Sequence, residues 1–238
     1  MDWDASYIIK YLPIVFKALP VTFSLVGVSA LLGIFLGFLF ALIRIEKIPV
    51  LNQLAIVTIS FFRGTPVLAQ MFVVYFGLPP FLRTFGIDIT DWEKIFYLYI
   101  TFGLNTAAFL AEVFRTSIIA VPKVQGDAAA SIGLSRLQSY IRIIIPQSII
   151  IAIPMLGTTI VSLLQESALA FTFGVLDPIG KVNSLGRTMA HTLEGYVSTA
   201  IVFIILAIII EKAFGFLEKK TTYQKQLNHG GQARAVEG

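Results

Sequence analysis

Cysteine is absent from the 238 residues, which excludes disulfides and thiol chemistry. Charge is scarce. Asp, Glu, Lys and Arg make up 13% of the chain, where a soluble domain carries roughly a quarter. Histidine occurs twice, at His191 and His229, and neither has a companion ligand in the sequence, so no metal or catalytic role follows. No G-x-x-x-x-G-K-S/T motif is present. The nearest fragment, Gly180-Lys181-Val182, lacks both the first glycine and the hydroxyl residue, so the chain carries no P-loop for ATP. H-E-x-x-H and G-x-S-x-G are also missing, which argues against an intramembrane enzyme. A channel or ion-coupled transporter usually shows paired repeats or a filter-like loop, and neither is visible; that class stays as the alternative reading.

What the chain has in excess is apolar residues, at 56%. That fraction cannot be hidden in one water-soluble core and points to lipid as the solvent. A bilayer core needs roughly 20 apolar residues in a helix. Five segments fit: Pro20 to Ile43, Pro66 to Leu82, Ile95 to Val113, Gln147 to Phe171 and Gly195 to Ile210. Thr65 is placed to cap the second of these. Leu51 to Phe62 is apolar but short, about 18 Å at 1.5 Å per residue, and reads as a helix along the membrane surface. Ser6 to Leu19, with Lys10 and Lys17, reads as a similar surface helix at the other face. Asp2 and Asp4 lie where a secretory signal carries positive charge, so no cleaved signal is expected. The fold class is therefore all-α membrane protein: residues 1–220 form one transmembrane domain, and 221–238 form a polar, irregular tail. Gly33 and Gly37 make a GxxxG on the first span, which serves either packing within the chain or dimerisation.

Lysine and arginine set the orientation. With the N-terminus outside, the inner segments carry Arg44, Lys47 and Arg63, then Arg115, Lys123, Arg136 and Arg142, then Lys212, Lys219, Lys220, Lys225 and Arg234. These twelve stand against six on the outer side: Lys10, Lys17, Arg83, Lys94, Lys181 and Arg187. N-outside and C-inside is the expected topology. The basic residues are spread over short loops and not gathered on one face, so nucleic acid is not an expected partner.

The inner loop of about 121–146 reads Val121-Pro122-Lys123-Val124-Gln125-Gly126-Asp127-Ala128-Ala129-Ala130, then Ser131-Ile132-Gly133-Leu134-Ser135, and ends at Ile145-Pro146-Gln147. The Asp-Ala-Ala-Ala run predicts a short helix with its acid in the first turn, where the helix dipole favours it. Gly133 then permits a sharp change of direction. Here the sequence resembles the inner-membrane permeases of type I ABC importers, in the polar amino-acid uptake family. Asp127, Ala128, Ala129, Gly133 and Pro146 match the pattern of the family's loop, with aspartate replacing the usual glutamate. Phe62-Arg63-Gly64-Thr65-Pro66 and Ala111-Glu112-Val113-Phe114-Arg115 are similar to the amino-acid branch, and the wording of the loop to its cystine members.

The resemblance implies a bacterial multi-pass cytoplasmic-membrane protein that imports an amino acid by alternating access. It implies a second permease chain, identical or related, a pair of ATPase subunits that bind the ATP and magnesium, and a solute-binding protein. No cofactor is implied in this chain. The loop would be the coupling helix, with Asp127, Ala128, Ala129, Gly133 and Leu134 meeting the ATPase. The family's usual Lys-Asp-Thr-Ser-Leu stretch interrupts a helix beside the translocation path. Gln165-Glu166-Ser167-Ala168-Leu169 stands in its place, differing at the first four positions.

Polar groups inside spans are costly, and each has a candidate role. Glu166 lies about 27 Å above Ser148 at helical rise, either lining a path or solvated at the outer interface. Gln165 and Ser167 flank it, and Ser167 with a helix N-terminus is available for a substrate carboxylate. Asn105 and Thr106 fall in mid-span and either line the path or bond to a neighbouring helix. Gln70, one turn into the second span, is placed to face the cavity. Glu112 and Arg115 are spaced i,i+3 and suit an ion pair at the inner boundary.

Overall fold

The computed structural model describes the backbone of residues 3–189 and 191–236, and the side chains of 3–186 and 191–221. Among these residues there is no strand. The helices are α1 (Ser6–Glu46), α2 (Leu51–Gly64), α3 (Val67–Arg83), α4 (Lys94–Ile119), α5 (Lys123–Ser131) and α6 (Arg136–Ser139). A π-helical turn, Tyr140–Ile144, leads into α7 (Ile145–Ser167), and a 3₁₀ stretch, Ala168–Phe173, follows it. α8 (Pro178–Met189) and α9 (Thr192–Val236) complete the order.

Four stretches are long and apolar enough to cross a bilayer: Ser6–Glu46, Lys94–Ile119, Arg136–Phe173 and Thr192–Thr221. α2 and α3 qualify only as a pair, bent by 119° at the break between them, and count as the fifth span. The all-α fold is therefore present, with four candidate spans, or five with the bent pair counted as one. α4 is the central helix: 61% of its most apolar window is buried, against 6% for the helix that begins at Thr192. Leu31 and Phe35 on α1, and Ile204 and Ile209 on α9, stay exposed, as lipid-facing positions should.

Several expectations need correction. Ser6 to Leu19 is no separate surface helix but the first part of the continuous 41-residue α1. Tyr11, Val15 and Leu19 pack there on Val182 of α8 and Val202 of α9. The expected boundary at Pro20 is absent: α1 runs through both Pro13 and Pro20, because this packed apolar face outweighs the lost backbone bonds. α2 is not an isolated surface helix either. Its Ile59 and Phe62 are buried against Ala108 and Ala111 of α4, so it belongs to the broken second span. Arg63 accordingly sits at that break and not in an inner loop. Thr65 makes no cap for α3; its hydroxyl donates back to the carbonyl of Phe61. The polar tail continues α9 as helical backbone to Val236.

The GxxxG question is settled within the chain. A Cβ at Gly33 would meet Thr106 Cγ2 at 2.6 Å, and one at Gly37 would meet Leu110 Cβ at 2.9 Å and the Ala107 carbonyl oxygen at 3.0 Å. The small residues let α1 lie directly on the backbone of α4. Gly37→Ala should therefore lower the melting midpoint in detergent, at a cost of about 1–3 kcal/mol for overpacking. Gly27→Ala, whose Cβ meets nothing within 4 Å, should be neutral or mildly stabilising. Equal midpoints for the two variants would contradict the α1–α4 seam.

Candidate functional site

The break between α2 and α3 leaves carbonyls at the end of α2 without helical partners. Gln70, 1% exposed, supplies them. Its Nε2 donates to the carbonyls of Phe62 at 2.8 Å and Thr65 at 2.9 Å, and to the Thr65 hydroxyl at 2.9 Å. Asn105 of α4 donates through Nδ2 to Gln70 Oε1 at 2.9 Å and to the Phe62 carbonyl at 3.3 Å. Gln70 thus does not face a cavity; it ties the broken span to the middle of α4.

Beside this knot, α4 and α7 enclose a cavity of about 210 Å³. Asn105, Thr106 and Phe109 line it from α4, and Met155, Thr158, Thr159, Ser162, Leu163 and Glu166 from α7. The α7 residues recur at i, i+3, i+4, i+7, i+8 and i+11, the stripe of one helix face. That periodicity was the signal for Thr158, Thr159 and Ser162, which single-residue reasoning passed over. The hydroxyls of Thr158 and Thr159 donate to the carbonyls of Pro154 and Met155, at 3.2 and 2.8 Å, which leaves their oxygens as acceptors. The Asn105 amide nitrogen is likewise committed, leaving Oδ1. With the Glu166 carboxylate the lining is rich in acceptors, and the hydroxyls of Thr106 and Ser162, without a hydrogen-bond partner among the described residues, add donors. Among the described residues Glu166 has no ion-pair or hydrogen-bond partner.

The trio at 165–167 points three ways, since successive helical residues are turned by about 100°. Only Glu166 reaches this cavity. Gln165 lines a different one of about 420 Å³, with Tyr196, Thr199 and Phe203 of α9. Ser167 is 1% exposed and its hydroxyl donates to the Leu164 carbonyl at 2.7 Å, so it is not available for a substrate carboxylate. At Ala168 the helix tightens to 3₁₀ and ends at Gly174, φ +76°.

The loop from 121 to 146 forms a second feature at the end of the molecule where α1 and α4 finish. α5 begins at Lys123, four residues before Asp127, so the acid lies in the second turn and not the first. Asp127 and Ala128 are exposed, while Ala129 is buried. Gly133 takes φ +82°. Its N–H bonds the Ala130 carbonyl at 3.0 Å and that of Leu134 bonds the Ala129 carbonyl at 3.1 Å, the paired closure of a Schellman turn. Ser135 then starts α6 with a reciprocal capping box to Gln138. Asp127 and Leu134 line a groove of about 560 Å³ with Ile119, Pro122 and Tyr140. Arg136 pairs with Glu46 of α1 at 2.8 Å. Glu112 pairs with Arg115, as the spacing implied, and also with Arg44 of α1 at 2.6 Å, a partner 68 residues away that spacing does not reveal.

Gln70→Leu leaves the Thr65 carbonyl without its donor and Asn105 with the Phe62 carbonyl alone, in a buried place. Each orphaned group costs about 1–3 kcal/mol, so this variant should melt well below the parent. Thr158→Val removes only a hydroxyl bonded to its own helix and should melt with the parent. A Gln70→Leu protein as stable as the parent would refute the knot.

Residues 29–223 match the family of binding-protein-dependent transport system inner membrane components. The L-cystine transport system permease protein TcyL of Bacillus subtilis (strain 168) is 39% identical, over 92% of this chain and 91% of its own length. YxeN, a probable amino-acid permease protein of the same strain, is 37% identical over 88% and 91%. Among solved structures, an amino acid ABC transporter with histidines matches at a TM-score of 0.80 and 27% identity, over 92% of this chain and all of that one. The MetNI methionine ABC transporter, in an inward-facing form, shares the fold at a TM-score of 0.69 and 17% identity, over 87% and 95%. With four or five candidate spans, a family match over most of its length and an ABC permease relative at 39% identity, the chain belongs to the binding-protein-dependent transport system inner membrane components, as an ABC-transporter permease subunit and not the ATPase.

Proposed function

We propose that the chain imports an amino acid by ATP-driven alternating access, and that the α4–α7 cavity contacts the substrate on its way. The observation that carries this reading is Glu166: an unpaired carboxylate within a membrane span, facing a cavity rich in acceptors. A bare charge at that depth is costly unless it serves a path or a ligand. The substrate's ammonium supplies the missing positive charge. Names of relatives support the substrate class, since TcyL and TcyB of Bacillus subtilis are L-cystine permeases. L-cystine is therefore the first solute to try.

The rest of the machine follows from the family. One chain with five spans needs a second permease chain, identical or related, to enclose a path. A solute-binding protein delivers the amino acid, and two ATPase subunits bind ATP and magnesium and close beneath the loop of α5. The exposed Asp127 and Ala128, with Leu134 and the Gly133 turn, form the proposed coupling surface. N-outside and C-inside remains the proposed orientation. Moving Arg63 into the broken span leaves eleven basic residues on the inner side against six outside.

Reconstituted transporter with its ATPase and binding protein tests both halves. Glu166→Gln should weaken the apparent affinity for L-cystine uptake roughly ten- to hundredfold, the effect of losing a charge-assisted bond of about 1.5–3 kcal/mol, while L-cystine binding to the separate solute-binding protein stays normal. Gly133→Val should lose the link between ATP hydrolysis and uptake, because a β-branched residue disfavours φ +82°. Parental uptake by Glu166→Gln across substrate concentrations would make Glu166 a bystander. Uptake by the permease without any ATPase would favour an ion-coupled carrier.

A further inference from the structure

A short turn joins two separately packed blocks at the end of α7 away from the α5 loop. On one side the 3₁₀ stretch is anchored by Ala170 and Phe173, buried with Leu98, Phe102 and Leu163. The Phe173 ring lies 5.0 Å from that of Phe72 and 5.2 Å from that of Tyr75. On the other side α8 is anchored by Val182, buried among Tyr11, Val15 and Val202. Between the blocks run Gly174, Val175, Leu176 and Asp177, beyond the span that ends at Phe173. Gly174 takes φ +76° and Leu176 is exposed. A displacement of one block against the other has to be absorbed in these four residues.

Asp177 closes the turn and is 0% exposed. Its Oδ1 accepts from the Gly180 N–H at 2.8 Å and its carbonyl from the Lys181 N–H at 2.8 Å, so it caps α8. Oδ2 is also buried and has no hydrogen-bond partner among the described residues. A Cβ at Gly180 would run into the Val175 carbonyl, so the turn is folded tightly over the cap. No counter-charge is paired with it. α8 carries Lys181, and α1 brings Tyr7, Lys10, Tyr11 and Lys17. The start of α9 brings His191, Glu194 and Tyr196, and the 3₁₀ stretch brings no titratable group. α4 begins with Lys94, whose Nζ would meet a Cβ at Gly174 at 3.6 Å. Among the described residues none of these forms an ion pair with Asp177. Glu194 is engaged with Asp4 and His191, and Tyr196 with Asn183. Burial pushes the Asp177 carboxyl up to about 6 from an ordinary 3.8, and the bonds from the Gly180 and Ile179 N–H groups offset only part of that.

We infer that Asp177 is a proton-operated latch on this turn. The neutral carboxyl stays buried and holds α8 to the end of α7, the carboxylate favours an open turn in which it is hydrated, and transport at neutral pH uses that opening. The last step rests on the alternating access proposed above. The closed turn is favoured most at low pH and loses that advantage as the pH rises through about 6. A carboxyl near 6 when buried and 3.8 when hydrated makes opening about tenfold more favourable at pH 8 than at pH 5, with most of the change below about pH 7.

The test is hydrogen exchange over residues 174–184, read by mass spectrometry on the complex of permease and ATPase in lipid nanodiscs between about pH 5 and pH 8, with intrinsic exchange rates divided out. The parent should lose about tenfold in protection across that range, while the α1 segment around Gly33 and Gly37 stays constant. Asp177→Asn keeps an acceptor for Gly180 without titrating, and should hold at least the parent's low-pH protection throughout. Asp177→Ala, without the cap, should be weakly protected at every pH. In reconstituted transporter with its binding protein, the deficit of Asp177→Asn in L-cystine uptake relative to the parent should grow several-fold from the acid to the alkaline end. Flat protection in the parent, or an Asp177→Asn protein that follows the parent's pH response, overturns the latch. A latch seen in exchange with equal uptake by the two proteins at the alkaline end overturns its part in transport. No ATP-driven uptake of L-cystine by the parent overturns the import reading and with it that part, the exchange result standing.

Discussion

A helix cannot be broken inside a bilayer unless the carbonyls freed by the break find donors within the protein. Gln70 and Asn105 meet that demand, and much of the site depends on them. Their amides hold the Phe62 and Thr65 carbonyls, fix the 119° bend between α2 and α3, and tie it to the middle of α4. The same knot commits the Asn105 amide nitrogen and borders the α4–α7 cavity, where Asn105 presents its oxygen. α4 can serve as the anchor because α1 lies so close to it, through Gly33 and Gly37.

The second organising feature is the contrast between the two ends of the helices. At the end where α1 and α4 finish, charges are paired across the chain, Glu112 with Arg44 and Arg115, and Arg136 with Glu46. The Glu112 pairs join α1 to α4, the two helices packed most closely in the core, and Arg136–Glu46 ties the start of α6 to α1. At the α4–α7 cavity the one charge in the lining, Glu166, has no ion-pair partner among the described residues. Paired charge suits a lever and unpaired charge suits a ligand site. The molecule separates the two by several helical turns.

Much of the fold was legible from the sequence, because long apolar runs leave few alternatives in lipid. The spans around Pro20–Ile43, Ile95–Val113, Gln147–Phe171 and Gly195–Ile210 lie within helices of the structure. What could not be read was continuity. The boundary set at Pro20 is overridden by the packing of Tyr11 and Val15, and the shortness of Leu51–Phe62 suggested a surface helix. Only the contacts with α4 reveal half of a broken span. At the site, Glu166 and Asn105 were legible because polar groups are rare in spans, and Gly133 because a turn there needs positive φ. The roles of Gln70 and Ser167 were not, since a mid-span amide or hydroxyl looks the same in sequence whether it faces a cavity or its own backbone. Arg63 was misplaced for the same reason as α2: its depth is a tertiary fact.

The central claim is that substrate meets the chain between α4 and α7, and locating a bound solute tests it most directly. L-selenocystine, an isostere of L-cystine, carries selenium atoms that scatter anomalously. In crystals of the assembled transporter grown with it, selenium peaks should lie in the cavity bordered by Asn105, Phe109 and Glu166. Peaks beside Gln165 and Tyr196 in the α7–α9 cavity, or none within the permease, would contradict the account.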